Sequence, residues 1–314
     1  MEVVLLFPGQ GSQKPGMGKD LAAAFPPAAD AFRQADAALG EPLSALCFDG
    51  PADTLTLTHN AQPALLAHGV AVWAVTRDAL RDKVRAAAGH SLGEFTAYCA
   101  AGAIALPDAI RLVRRRGALM YESGLARPGT MAAVLGDTNR SIDEICAEAS
   151  DAPDGGLVVP ANYNSPGQVV VSGEVAGVER AMELSKLAGA KRAIRLPVSG
   201  AFHSPLMQPA REAFQQSLAE APLSDPSVPV YANVTAEPVT HAADVRRLLL
   251  DQLTAPVRWT QVMERLAREY PSALFVEMGP GTVLSGLSRK IAPAVECMSC
   301  GTPSDVESLL ARAA

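Results

Sequence analysis

Gly89-His90-Ser91-Leu92-Gly93 is the stretch on which the fold of this chain turns. It reads Gly-x-Ser-x-Gly, the pattern of a nucleophile elbow, where a serine sits on a sharp strand-to-helix turn with its hydroxyl facing a cleft. The two glycines allow the backbone to crowd the turn without a Cβ clash. Small residues recur in a Gly-rich chain, so the context has to carry the assignment. Upstream, Val84 to Ala88 is an apolar run of strand length. Downstream, Glu94 to Ala101 suits a helix. Strand, elbow, helix is the setting the motif requires. The alternative is an ordinary strand–helix turn with an inert serine.

Outward from the elbow, strand-like runs alternate with helix-like segments, which predicts an α/β architecture with a largely parallel sheet. The expected strands are 3–7, 84–88, 130–135, 169–172, 191–196, 229–232 and 274–277. The expected helices include 22–39, 62–80, 107–122, 141–150, 175–187, 205–219 and 260–268. Between about Pro128 and Pro197 the order reads strand, helix, strand, helix, strand, which suits an inserted α+β subdomain of the split βαβ kind. Arg127-Pro128-Gly129 and Pro197-Val198-Ser199-Gly200 are its expected hinges. The predicted division is 1–127 and 198–314 for the main unit and 128–197 for the small one.

The chain has 314 residues, 48% hydrophobic and 19% charged, the balance of a globular enzyme. A net charge of −6 argues against a nucleic-acid binder. No apolar run approaches the roughly 20 residues that span a bilayer, and the first residues lack the basic start of a signal peptide. A cytoplasmic location without membrane attachment is expected. The five cysteines are scattered and odd in number, which does not suggest a disulfide framework. Cys297-Met298-Ser299-Cys300 has no second pair to complete a zinc site, so no metal is expected.

A serine nucleophile needs a base. His203 lies in Ser199-Gly200-Ala201-Phe202-His203-Ser204-Pro205, a loop entering a helix, where catalytic groups tend to sit. A structural histidine is the other reading. His90 adjoins Ser91 but should point away from it, as a supporting group. His68 falls inside a helix. No acidic third member stands out, so a dyad oriented by an amide or a carbonyl is as compatible as a triad. Phe7-Pro8-Gly9-Gln10-Gly11-Ser12-Gln13 follows the first strand, and its glycines would let the Gln10 N–H face a cleft as an oxyanion donor. The Leu92 N–H, next after the serine, is the natural second donor. No phosphate-loop pattern is present there.

Arg114-Arg115-Arg116 resembles a solvated charge run, but helical phase separates the three. Arg116 shares a face with Ala109, Leu112 and Val113, while Arg114 and Arg115 do not. An inward arginine needs an anion, either an internal carboxylate or a substrate carboxylate.

These stretches together resemble the malonyl-CoA:acyl-carrier-protein transacylases. The resemblance also takes in Asn162-Tyr163-Asn164-Ser165-Pro166-Gly167-Gln168, Ala201–Met207, Gln252-Leu253 with Pro256-Val257, and Glu277-Met278-Gly279-Pro280-Gly281. They run in the family's order along nearly the whole chain; Tyr163 stands where phenylalanine is frequent. The resemblance implies an α/β-hydrolase-like core with a ferredoxin-like insert. It implies Ser91 as the acylated nucleophile, His203 as base, and the Gln10 and Leu92 N–H groups as oxyanion hole. Arg116 would bind the malonyl carboxylate, Gln252 would help orient His203, and His90 and Asn162 would support the site. The Ala-Phe-His form is associated with malonyl selection. The implied partners are malonyl-CoA and acyl carrier protein, with no cofactor, acting as a monomer. Lys186, Lys191, Arg192, Arg195, Arg289 and Lys290 are candidates for docking an acidic carrier. A thioesterase or esterase with the same elbow, a malonate-decarboxylase loading subunit, and an idle carrier-binding domain are the rival functions.

Overall fold

The computed structural model describes every residue except Asp154. Ten strands form two sheets: β1 (Val3–Phe7), β2 (Val84–Gly89), β3 (Thr130–Leu135), β4 (Val158–Ser165), β5 (Gln168–Gly173), β6 (Arg192–Arg195), β7 (Val230–Tyr231), β8 (Pro238–Val239), β9 (Leu274–Met278) and β10 (Glu296–Cys300). The first sheet has the order β10-β9-β1-β2-β7-β8. All its pairings are parallel except β7 with β8. The predicted α/β class with a mostly parallel sheet matches this arrangement.

Side chains alternate across a strand, so one strand serves two cores. Val3, Leu5 and Phe7 of β1 pack into the larger core with the long helices Thr58–Leu80 and Leu106–Ala126. Val4 and Leu6 face the other side, against Trp259, Val262 and Met263 of the helix Trp259–Glu269. A strand covered on both faces has no polar positions, which is why β1 reads as an unbroken apolar run.

The second sheet is antiparallel, in the order β4-β5-β3-β6. Helices Ile142–Asp151 and Val175–Leu187 share a small core with Ala132, Val134, Val158 and Val171. Met131, Ala161 and Val170 of the same sheet instead join the large core. The segment therefore runs strand, helix, strand, strand, helix, strand. The missing strand corrects the expected order. β4 carries Pro160 and four polar residues, and its register slips around Pro160 and again near Ser165. An edge strand tolerates proline and bulges, and that hides it from period-two reading. Two further strands, β8 and β10, also escaped the sequence; β8 has two residues and β10 is a partly polar edge.

The expected helix 22–39 is in fact two, Lys19–Ala24 and Pro26–Leu39. Phe25 is extended, with φ −129° and ψ 113°. A residue before proline is disfavoured in the α region, so the chain breaks there. No helix among the described residues is long and apolar enough to cross a membrane.

One register matters for the site. Phe7 pairs with Gly89, so β1 and β2 end side by side. The loop after β1 and the elbow after β2 therefore open at the same carboxyl edge of the sheet, where ligands bind in open α/β folds.

Candidate active site

The elbow is built by its glycines. A Cβ on Gly89 would lie 1.9 Å from the Gly93 carbonyl carbon, and one on Gly93 would lie 2.1 Å from the Phe7 carbonyl oxygen. Only glycine fits either position. Between them Ser91 has φ 52° and ψ −107°, and the helix Leu92–Ala100 starts at the next residue. Positive φ in a serine costs energy and persists only where its surroundings impose it. Asn233 imposes it here. Its Oδ1 accepts from the Ser91 N–H at 2.6 Å, and its Nδ2 donates to the Gly89 oxygen at 2.7 Å. One buried amide thus clamps both arms of the turn. Asn233 was not a sequence candidate, and its contact with the elbow spans 142 positions.

His203 reaches Ser91 from the loop before the 3₁₀ turn Pro205–Met207. That loop is pinned by the Ser204 hydroxyl, which donates to the Ala201 oxygen at 2.6 Å. His203 itself has φ 58°. Its Nε2 lies 2.8 Å from Ser91 Oγ, and its Nδ1 lies 2.9 Å from the main-chain oxygen of Gln252. A carbonyl can only accept, so Nδ1 carries the hydrogen and Nε2 is left as the acceptor facing the serine. Burial pushes the His203 pKa down to about 3, with the nearby Arg116 charge adding to the shift. The ring is neutral at physiological pH, which is the form a base requires.

Arg116 is 1% exposed. Its helix approaches Thr58–Leu80 closely because residue 117 is glycine: a Cβ there would lie 2.7 Å from His59 Cα. Arg116 Nη1 donates to Gln62 Oε1 and Nη2 to Gln252 Oε1, both at 2.8 Å, and Nη2 also reaches Ser91 Oγ at 3.2 Å. Phe95 stacks 5.5 Å from the guanidinium carbon. Burial lowers the Arg116 pKa to about 10, so the group stays charged at neutral pH. Every one of these partners is neutral. Arg114 instead meets Asn60 and Glu41 nearer the surface, and Arg115 is exposed.

Gln252 holds His203 with its main chain, and its side chain does something else. The amide Nε2 donates to the Ser91 oxygen at 3.0 Å and to Glu94 Oε2 at 2.7 Å. His90 lines the same cavity but does not bond Ser91 Oγ; it donates from Nε2 to Asn164 Oδ1 at 2.8 Å. Asn162 is buried and bridges to Val257. His68 stays apart, buried in its helix with Nε2 3.0 Å from the Gly301 oxygen.

A cavity of about 440 Å³ joins these groups. Gln10, Gln62, Ser91, Leu92, Arg116 and His203 line one side of it, and Met131 and Asn162 of the second sheet, with Leu196 just after β6, line the other. The Gln10 and Leu92 main-chain N–H groups have no hydrogen-bond acceptor among the described residues. Such an arrangement can activate a hydroxyl, receive an oxyanion and hold a small carboxylate. Gln62, Glu94 and Asn164 belong to it but were not singled out in the sequence. They carry no motif signal beyond polar residues in an otherwise apolar helix or next to the elbow. No cluster of His, Cys, Asp or Glu among the described residues could hold a metal ion.

Comparison with known proteins agrees with this picture. The model of the acyl transferase domain matches residues 4–298. The chain is 44% identical to the malonyl CoA-acyl carrier protein transacylase of Bacillus subtilis over 312 residues, covering 98% of this chain and 95% of that protein. It is 42% identical to the Escherichia coli protein of that name, covering 98% and 99%. Among solved structures, the acyl-carrier-protein S-malonyltransferase of Bartonella henselae superposes with a TM-score of 0.94 at 42% identity, covering 100% of this chain and 99% of that one. A malonyl-transacylase in complex with a type II polyketide synthase acyl-carrier protein gives 0.93 at 41% identity, covering 99% and 100%.

Proposed function

The chain belongs to the acyl transferase domain family, and from that premise we infer that it transfers a malonyl group from malonyl-CoA to the phosphopantetheine thiol of an acyl carrier protein. It is an enzyme, an acyltransferase, and its relatives of the same length bear that name. The observation that carries the reading is a buried, charged Arg116 with only neutral partners, 3.2 Å from the hydroxyl of a serine that already faces a neutral histidine. An uncharged acyl group would leave that cation unmatched.

The reaction is ping-pong. Ser91 Oγ attacks the thioester carbonyl as His203 Nε2 takes its proton. The Gln10 and Leu92 N–H groups receive the oxyanion, and coenzyme A leaves as a thiol. The carrier thiol then attacks malonyl-Ser91, again with His203 as base. Arg116 grips the free carboxylate through both steps. His90 and Asn162 support the cavity wall. All groups come from the chain, so the chemistry calls for no cofactor. The product supplies fatty-acid or polyketide synthesis, in the cytoplasm.

The architecture is read as an α/β-hydrolase-like core over 1–127 and 198–314 and a ferredoxin-like subdomain over 128–197. In favour of the second is the strand order β4-β5-β3-β6 with its two helices on one face. Lys186, Lys191, Arg192 and Arg195 on that subdomain, with Arg289 and Lys290, offer cations to an acidic carrier. Lys290 Nζ lies 3.4 Å from Gln168 Oε1 of β5, so the helix end that carries Arg289 and Lys290 abuts that subdomain.

The test is malonyl transfer from labelled malonyl-CoA to a panel of carrier proteins. Malonyl-carrier should form, with little free malonate. Rapid release of malonate without any carrier would make the protein a hydrolase instead.

A further inference from the structure

Glu94 is the one fully buried carboxylate beside the reacting groups, and the mechanism above does not use it. It opens the first turn of the helix that follows the elbow and is 0% exposed. Its Oε2 accepts two hydrogen bonds, from the Asn233 N–H at 3.0 Å and from Gln252 Nε2 at 2.7 Å. Gln252 Nε2 also donates to the Ser91 oxygen at 3.0 Å. An amide nitrogen has two hydrogens. Both are therefore spoken for, and the amide can present only its oxygen to Arg116, at 2.8 Å. On the opposite side Gln62 is fixed in the same sense, because its Nε2 faces Met120 Sδ at 3.4 Å and leaves Oε1 for Arg116.

The consequence is electrostatic. A carboxylate in direct contact with Arg116 would neutralise it and compete with any ligand carboxylate. Glu94 instead acts from behind the Gln252 amide. Its charge still favours the ionised guanidinium, but the contact surface of Arg116 consists of neutral oxygens. With the Glu94 acceptor gone, the amide loses its reason to keep that orientation. Turned over, Gln252 would set an NH₂ against the guanidinium, donor against donor, and the guanidinium would have to shift.

We propose that Glu94 is a positioning residue that determines selectivity for a carboxylate-bearing acyl group, by locking the Gln252 amide so that Arg116 is held in place with its charge unspent. The proposal rests on the malonyl-transfer reading above. Glu94 touches neither substrate nor the reacting atoms; it acts through Gln252 and Arg116. The main-chain oxygen of Gln252, which faces His203, does not depend on the direction of the side-chain amide. The Ser91–His203 bond itself is therefore not made through that amide, and Glu94 reaches it only indirectly, through the Asn233 N–H that it also accepts and the Ser91 oxygen that Gln252 holds.

The experiment compares Glu94→Ala, Glu94→Met and Glu94→Gln in the full chain, each first shown to be folded by circular dichroism. Transfer from malonyl-CoA and from acetyl-CoA is measured with saturating carrier protein, and Ser91 acylation is followed with p-nitrophenyl acetate. Glu94→Ala should raise KM for malonyl-CoA about tenfold or more with a smaller change in kcat, the mark of lost substrate binding. Acetyl transfer and ester acylation should fall by a clearly smaller factor, the part that comes from the Asn233 N–H losing the same acceptor. Glu94→Met, which fills the space without an acceptor, should behave like Glu94→Ala and stands in for it if the cavity prevents folding. Glu94→Gln keeps an acceptor oxygen and should recover most of the loss. The proposal is overturned if Ala and Met leave the malonyl-to-acetyl preference unchanged. It is equally overturned if malonyl transfer, acetyl transfer and ester acylation fall together, since that is what a merely structural residue does. Unfolding of both Ala and Met while Gln folds with its preference lost would also overturn it. Wild-type protein run alongside separates the two levels: if it transfers no malonyl group, the functional reading fails, and not this assignment alone.

Discussion

Ser91 and His203 both hold positive φ, 52° and 58°, and their side chains meet at 2.8 Å. Two residues in a sparsely populated backbone region, 112 positions apart, converge on one hydrogen bond. Such conformations survive when the surroundings over-determine them. Here the surroundings are Asn233 and the two elbow glycines on one side, and the Ser204 lock and the Gln252 oxygen on the other.

Removing either partner should stop the chemistry in a different way. Ser91→Ala is expected to form no malonyl adduct with malonyl-CoA, as read by intact-mass spectrometry. His203→Ala keeps the hydroxyl but not the base and should slow acylation about 10²- to 10⁴-fold. A full malonyl adduct on Ser91→Ala would dismiss the nucleophile assignment.

Arg116→Ala should cost malonyl transfer about 10- to 100-fold in kcat/KM, matching the about 1.5–3 kcal/mol of a hydrogen bond to a charged group. Acetyl transfer should fall far less. Arg116→Lys should not restore malonyl transfer, because an ammonium cannot reach two amide oxygens and a carboxylate with the geometry of a planar fork. Equal losses with both acyl donors would make the arginine structural.

Gln252→Ala separates main chain from side chain. The bond to His203 Nδ1 comes from the backbone oxygen and survives the substitution. The bonds to Arg116, Ser91 and Glu94 come from the amide and do not. The variant should therefore lose malonyl binding while retaining acylation by an uncharged ester. Loss of ester acylation on the scale of His203→Ala would point to an orienting role for the side chain.

Asn233→Ala removes the clamp on the elbow and leaves the Ser91 N–H and the Gly89 oxygen without a partner. Each buried unpaired group costs about 1–3 kcal/mol. Thermal unfolding should fall by several degrees, and Ser91 acylation should slow with it. An unchanged melting temperature would show that the turn holds itself.

Acid should destabilise the fold through its buried histidines. Burial lowers His68 to about 4 and His203 to about 3, from an ordinary 6.5. Below pH 6.5 the unfolded chain protonates both, while the native state does not until pH 3–4. The unfolded state thus binds more protons in that window, and each histidine removes about 1.4 kcal/mol of stability per unit of pH as the pH falls. Glu94 works in the opposite sense. Burial raises its carboxyl to about 7 from an ordinary 4.5, so the native state takes the proton first and gains stability on acidification between those values. Burial lowers His90 in the same direction as His68 and His203 and raises Glu277 in the same direction as Glu94, so three losses against two gains predict a falling melting temperature from pH 6.5 to 4.5. Glu94→Gln lacks one of the two gains and should fall more steeply than wild type. Parallel slopes would remove Glu94 from the account.

The legible part of this protein was local. β1, β2, β3 and the helix Val175–Leu187 follow from runs and periods within a few residues. The inward direction of Arg116 follows from its phase against Leu112 and Val113. The elbow follows from five residues whose glycines are required by contacts of 1.9 and 2.1 Å. What periodicity missed were elements whose stability is borrowed from neighbours. β4 is an edge strand with a proline and two register slips, and its partner β5 supplies the order that its own sequence lacks.

The residue types alone determined that this chain has a serine on a strand–helix turn, a loop histidine, an inward arginine and a mostly parallel sheet to carry them. Resemblance added their roles. Only the tertiary structure decided how they are held. It put the Gln252 main-chain oxygen, rather than an acid, behind His203. It also placed Asn233 across the elbow, and Glu94 behind the amide that faces Arg116. Those contacts join residues up to 158 positions apart. A hydrogen bond at that separation depends on where the sheet and helices have already brought two backbones, and no local pattern in a sequence encodes that distance.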